Sequence, residues 1–156
     1  KGVIEVCKGL SLNDSYWIVQ KDSKLKFDQM NLYENSFDEA LSLVAFVGMM
    51  QPRKRSSSPE FTTGGTLRKG WRRLAKETWL YKGGIENAGY PPLEPYSEFY
   101  AYQIAKAMGI DAIEYELAQW KGILASRCKL FSTKDIAYVP VGDIDEIYEV
   151  EDGFQL

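Results

Sequence analysis

Lys82 closes the run Trp79-Leu80-Tyr81-Lys82, and Glu98 follows sixteen residues later in Glu94-Pro95-Tyr96-Ser97-Glu98-Phe99-Tyr100, across a loop rich in glycine and proline. A lysine at the end of a strand, followed by a glutamate on a helix, suits the gripping of phosphate. The chemistry needs one fixed cation, and a carboxylate on a neighbouring helix limits the rotamer freedom that a long side chain would otherwise lose on binding. The same residue types also suit a surface lysine at a strand end and a solvent-facing helix glutamate.

Upstream lies Thr62-Thr63-Gly64-Gly65-Thr66-Leu67-Arg68-Lys69. Gly64 and Gly65 would let backbone N–H groups approach phosphate oxygens, and Lys69 would add charge. The spacing matches neither Gly-x-Gly-x-x-Gly nor Gly-x-x-x-x-Gly-Lys-Ser/Thr, so as a lone signal it reads slightly better as a hairpin turn than as a nucleotide loop. Arg53, Lys54, Arg55, Arg68, Lys69, Arg72, Arg73 and Lys76, with Trp71 and Trp79 near, form a basic stretch. It reads either as a patch for phosphate groups or as a solvated strand face. Ser56, Ser57, Ser58, Thr62 and Thr63 beside it have the composition of an ordinary loop, and phosphorylation there would oppose nucleotide binding.

The composition excludes several chemistries. The 156 residues include no histidine, which removes Ser-His-Asp and Cys-His catalysis and His-ligated metals from this chain. Cys7 and Cys128 stand alone, without zinc-ligand or disulfide-framework spacing. A net charge of −3 provides no global attraction to nucleic acid, which makes direct nucleic-acid binding the least supported reading. No apolar run approaches the ~20 residues of a membrane span. We expect a cytoplasmic, bacterial-type protein without membrane contact. Because the sequence opens on Lys1 and closes on Phe154-Gln155-Leu156, we also expect the native chain to continue.

The elements that must position Lys82 and Glu98 follow from periodicity. Tyr16 to Val19 is strand-like, and 21 to 36 is polar and irregular. Ser36 as N-cap with Glu39 predicts a capped helix from Phe37 towards Gly48. Thr66 to Leu74 and Thr78 to Lys82 predict two strands joined at Ala75-Lys76-Glu77. Pro95 in a first turn, a stripe of Tyr96, Phe99, Tyr100, Ala101, Ile104, Ala107 and Met108, and a terminal Gly109 predict the main helix. Ile113 to Trp120 and Gly122 to Phe131 predict an antiparallel pair. The organisation is then an N-terminal subdomain (1–50), a flexible linker (51–60), a small lobe (61–135) and an acidic tail (136–156) whose Asp143 to Asp152 holds six acids.

Thr63-Gly64-Gly65-Thr66-Leu67-Arg68-Lys69, Trp79-Leu80-Tyr81-Lys82 and Glu94-Pro95-Tyr96-Ser97-Glu98 through Gly109 together resemble the HipA-like kinases, bacterial Ser/Thr kinases of toxin-antitoxin systems. Leu124 to Phe131 is similar to their strand leading into the hinge. Leu10-Ser11-Leu12-Asn13-Asp14-Ser15-Tyr16-Trp17 resembles HipA-domain proteins of gut Firmicutes. The resemblance covers roughly residues 56 to 135.

It implies an α+β fold: an antiparallel sheet with one main packed helix, a kinase-like N-terminal lobe, plus a small N-terminal helical and strand segment. Lys82 would hold the α/β-phosphates of ATP, Glu98 would orient Lys82, and Gly64, Gly65 and Lys69 would cover the phosphates. Adenine would lie near Cys128 to Phe131. The catalytic residues and the Mg²⁺ ligands would belong to a large lobe that does not follow Phe131 here, so no catalytic residue is assigned in this chain. A protein substrate or antitoxin-like partner is implied. Leu67 and Arg68 depart from the family loop, where Gln-Pro is usual. The competing reading is a non-catalytic interaction module or degenerate kinase.

Overall fold

In the computed structural model of the protein, residues 8–12, 16–37, 39–47, 67–85 and 90–139 are described. Their elements run α1 (Phe27–Met30), α2 (Glu39–Val47), β1 (Lys69–Leu74), β2 (Glu77–Gly83), α3 (Glu94–Ala107), β3 (Glu116–Trp120) and β4 (Ile123–Lys129). The strands form one antiparallel sheet in the order β1-β2-β4-β3, so the fold is α+β with one main helix packed on the sheet.

Two tight turns set the register. Ala75-Lys76 joins β1 to β2, with Ala75 at φ 56°. Lys121 and Gly122 both adopt positive φ, 52° and 79°, in the turn between β3 and β4. Such turns match the right-handed twist of the strands they join. The antiparallel pairing of β2 with β4 brings Lys82 opposite Ser126.

The two faces of the sheet have different covers. Tyr81, Trp79, Trp120 and Ala125 form the first core with Phe46 of α2, flanked by Leu43 and Val47. Phe46 stacks on Trp120 with ring centres 4.8 Å apart. The helix comes so near β1 that a Cβ on Gly70 would stand 2.6 Å from the Trp120 ring and 2.8 Å from the Ser42 carbonyl oxygen. On the opposite face, Trp71 packs with Leu10, Leu12 and Leu32, flanked by Leu80 and Leu130. Both cores therefore unite residues of the first fifty with the sheet.

Arg73 ties the second cover down. Its guanidinium donates to the carbonyl oxygens of Asn35 (2.8 Å), Leu32 (2.7 Å) and Tyr33 (3.1 Å). The plane of that fork suits several acceptors at fixed angles.

Local details differ from expectation. Tyr16 to Val19 belongs to no assigned strand; Ile18 N–H donates to the Lys8 carbonyl at 2.6 Å, and Tyr16 is exposed. A strand needs a partner edge, and among the described residues none pairs with this segment as a strand. The irregular stretch contains the short α1, at whose start Lys26 N–H donates to Gln29 Oε1 at 3.1 Å and Gln29 N–H donates to the Lys26 carbonyl at 3.0 Å. α2 begins at Glu39 rather than Phe37, which instead lies under the Arg73 guanidinium. Its expected capping box needs the Glu39 side chain, which lies outside what is described, as do linker 51–60 and the acidic run 143–152.

Candidate anion site at the sheet and helix junction

Lys82 points to the face on which α3 lies, because Tyr81 and Gly83 to either side of it belong to the opposite face. Its Nζ donates to Glu98 Oε1 at 2.9 Å and to the Tyr115 hydroxyl at 2.5 Å. The other carboxylate oxygen of Glu98 accepts from the hydroxyl of buried Ser126. Helix, central strands and the approach to β3 thus meet on one ammonium group. The lysine and glutamate side chains retain 20% and 27% exposure, so the pair is shielded but reachable.

Burial works against charging Lys82, but its bonds to Tyr115 and Glu98 outweigh it and hold its pKa above the ordinary lysine value. Burial lifts Tyr115 to about 12 against the pull of Lys82. Burial also pushes the Cys128 thiol up, while Lys82 and a hydrogen bond with Tyr115 draw it down. The Lys82 nitrogen lies 4.8 Å from the centre of the Tyr115 ring, farther than from its hydroxyl. The oxygen, not the ring face, holds it.

Lys69 stands directly opposite Lys82 in the β1–β2 ladder. Gly83 N–H donates to the Arg68 carbonyl at 2.9 Å, so Arg68 and Gly83 form a hydrogen-bonded pair. The next pair, Lys69 and Lys82, is then of the close type, with Cα atoms about 4.5 Å apart. Burial lowers the Lys69 pKa, the charge of Lys82 lowers it further, and Glu98 opposes both. Like charges directly opposite each other destabilise a sheet. Glu98 acts on both lysines, and the two ammonium groups are set side by side on the face covered by α3.

The remaining expected site residues are placed differently. Gly64 and Gly65 lie outside the described residues, as do Arg53, Lys54 and Arg55. The rest of the basic stretch is divided by the strand's alternation. Lys69 and Arg73 point to one face, and Arg72 to the other, where it lies 4.9 Å from the Trp120 ring centre and 5.1 Å from that of Tyr81. It forms no continuous patch.

The expected adenine surface is closed at two of its four residues. Cys128 is buried, and Leu130 packs with the Leu10, Leu12, Leu32 and Trp71 cluster, whereas Lys129 and Phe131 are exposed. Beside Phe131 is a cavity of about 160 Å³ lined by Trp79, Ile113, Glu114, Glu116, Lys129 and Leu130. It omits Lys82, Lys69 and Glu98, and it is smaller than the roughly 300 Å³ at which ordinary ligand sites begin. We therefore place the site by its charge geometry rather than by that cavity.

Tyr115 and Ser126 complete the group and were not singled out from sequence. Ser126 was legible as the cross-strand neighbour of Lys82 once the register was known. Tyr115 lies outside β3 and has no motif around it. The facing of α3 also differs from the stripe in the sequence. Pro95 is buried, and Glu98, Phe99, Tyr102 and Gln103 are half-buried, whereas Tyr100, Ile104 and Met108 are 59%, 60% and 68% exposed. The sheet presents Lys82 and Ser126 there, so the helix turns its glutamate inward and its apolar ridge outward.

Comparison with family models, curated proteins and solved structures returns no match for this chain. Among the described residues no cluster of carboxylates and cysteines could hold a metal ion. No helix among them is long and apolar enough to cross a membrane.

Proposed function

We propose that the chain is the nucleotide-binding N-terminal lobe of a HipA-like Ser/Thr kinase, holding ATP for phosphoryl transfer to a protein hydroxyl. The observation that carries this reading is the Lys82–Glu98 ion pair, with Lys69 placed opposite Lys82. A strand lysine oriented by a helix glutamate is how a kinase small lobe addresses the α/β-phosphates. The two lysines suit a polyphosphate because their cross-strand pairing sets two cationic side chains on one face of the sheet. Lys82 would bind and Glu98 would orient it, while Lys69 would add attraction. Mg²⁺, when bound, would neutralise charge on the phosphates; its ligands and the general base would come from another segment or chain. The reading implies a cytoplasmic setting, a protein substrate and an antitoxin-like partner.

Titration of the protein with ATP tests it. Lys82→Ala and Glu98→Ala should each weaken binding at least tenfold, a loss of about 1.4 kcal/mol. Unchanged affinity in both variants would sink the assignment. The chain by itself should transfer no labelled phosphate to protein.

The outward ridge of Tyr100, Ile104 and Met108 favours a second reading, a non-catalytic interaction module. Contiguous exposed apolar surface of this kind marks contact sites. Under it, the Lys82 variants leave partner binding intact, while Ile104→Asp abolishes it.

A further inference from the structure

Lys82 carries three N–H donors. One is directed to Glu98 at 2.9 Å and a second to the Tyr115 hydroxyl at 2.5 Å. A single donor remains for a ligand. A monophosphate can be met by that donor alone. A diphosphate whose two phosphate groups both rest on Lys82 needs two of its donors, whatever Lys69 adds beside it, and Glu98 is the partner least able to give way: its other oxygen is anchored by Ser126, and it acts on both lysines. The neutral phenol is the weaker competitor.

We propose that Tyr115 is an internal competitor for Lys82, holding the lysine in the ligand-free protein and yielding it to a diphosphate but not to a monophosphate. This rests on Lys82 being a phosphate-binding residue, as argued above. Three features of Tyr115 suit the role. It lies just ahead of β3, outside the ladder, so a backbone adjustment that accompanies its side-chain movement need not break the β3–β4 pairing. It holds Lys82 through its hydroxyl, a contact that one side-chain rotation breaks together with the hydrogen bond to the Cys128 thiol. It is half-buried, so the freed hydroxyl can reach water. Tyr115 would accordingly act on Lys82 as a positioning residue and set how strongly the site prefers a diphosphate over a monophosphate.

The test compares ADP with AMP as probes, titrated into the wild-type protein, Tyr115→Phe, Tyr115→Leu and Lys82→Ala, with backbone amide signals of β2 as readout. Removing the hydroxyl should tighten ADP binding three- to tenfold and leave AMP binding within twofold. Tyr115→Leu keeps the comparison usable if the phenylalanine ring takes up a new position. ADP affinity that is unchanged or weaker in both Tyr115 variants, while Lys82→Ala still abolishes binding, would overturn the inference and leave the nucleotide reading standing. Equal tightening of ADP and AMP would overturn it too, because donor count would then not be the cause. If Lys82→Ala binds ADP as well as wild type, the underlying reading fails and this inference falls with it.

Discussion

Lys69 and Lys82 face each other across the β1–β2 ladder, on the side of the sheet from which Glu98 of α3 reaches down. Cross-strand pairs contribute roughly 0.2–1 kcal/mol, and like charges directly opposite cost a similar amount. Lys69→Gln should therefore stabilise the ligand-free protein by about 0.5 kcal/mol while weakening ATP binding several-fold. Urea midpoints and nucleotide titration on the same samples check both halves. A variant that loses stability and keeps affinity would show that the pair has no anion-binding role.

Glu98 is the group that makes this arrangement tolerable. Glu98→Gln removes the charge that opposes the mutual repulsion of the lysines and leaves Lys82 with the Tyr115 bond. We expect a loss of about 1–2 kcal/mol, intermediate between an exposed pair and a buried one. A double-mutant cycle with Lys82→Met should return a coupling of about 1 kcal/mol. Additive effects would mean that the pair contributes nothing beyond its separate side chains.

Tyr115 gives the fold an alkaline limit. An ordinary tyrosine near 10 loses its proton in the unfolded chain, whereas the folded protein holds this one up to about 12 because burial disfavours the phenolate. Between those values the folded state binds more protons than the unfolded one, so stability falls as pH rises. Lys82, also raised, acts in the same direction, while Lys69, lowered, adds stability as pH climbs through its own lower range. After allowance for solvent at a half-exposed ring, Tyr115 should account for about 1 kcal/mol of the loss. Denaturation midpoints from pH 9 to 12 should fall less steeply in Tyr115→Phe than in wild type.

Much of this fold is legible in the sequence because its signals are local. Trp71, Trp79 and Tyr81 supply β-favouring bulk at alternate positions, and Pro95 and Gly109 bracket α3. The order lysine then glutamate was visible too, although their contact needed the helix to turn a polar side to the sheet. That turn was not legible. Periodicity marks Tyr96, Tyr100, Ile104 and Met108 as a stripe, but not whether the surface beneath is apolar, and here it carries Lys82 and Ser126. Four residues are too few for α1 to show a period, and Tyr16 to Val19 has strand composition without an edge to join among the described residues. Tyr115 was invisible for a different reason: its role comes from where the chain enters β3, not from any spacing to Lys82.

Gly70 tests the contact between α2 and the sheet. A Cβ there would collide with the Trp120 ring and the Ser42 carbonyl oxygen, so Trp120 or the helix backbone must shift. The ring is stacked on Phe46 and the carbonyl is part of a helix, so neither yields readily. Overpacking of this kind costs about 1–3 kcal/mol. Gly70→Ala should lower the urea midpoint accordingly, without changing the slope of the transition. A variant as stable as wild type would mean that α2 does not rest on β1 this closely.

Arg73 joins the N-terminal cover to β1 through three backbone carbonyls and Thr78 Oγ1 at 3.2 Å. Lysine has neither the planar fork nor enough donors to reproduce that set. Arg73→Lys should cost about 2–3 kcal/mol, because hydrogen bonds to a charged group are stronger than neutral ones and the abandoned carbonyls are partly shielded from water. The loss should be local before it is global. Hydrogen exchange at Asn31 to Asn35 should accelerate while amides of β2 and β4 keep their protection, since those strands are held by Tyr81, Trp79 and Ala125 on the opposite face. Equal acceleration in both places would show that the cover and the sheet unfold as one unit.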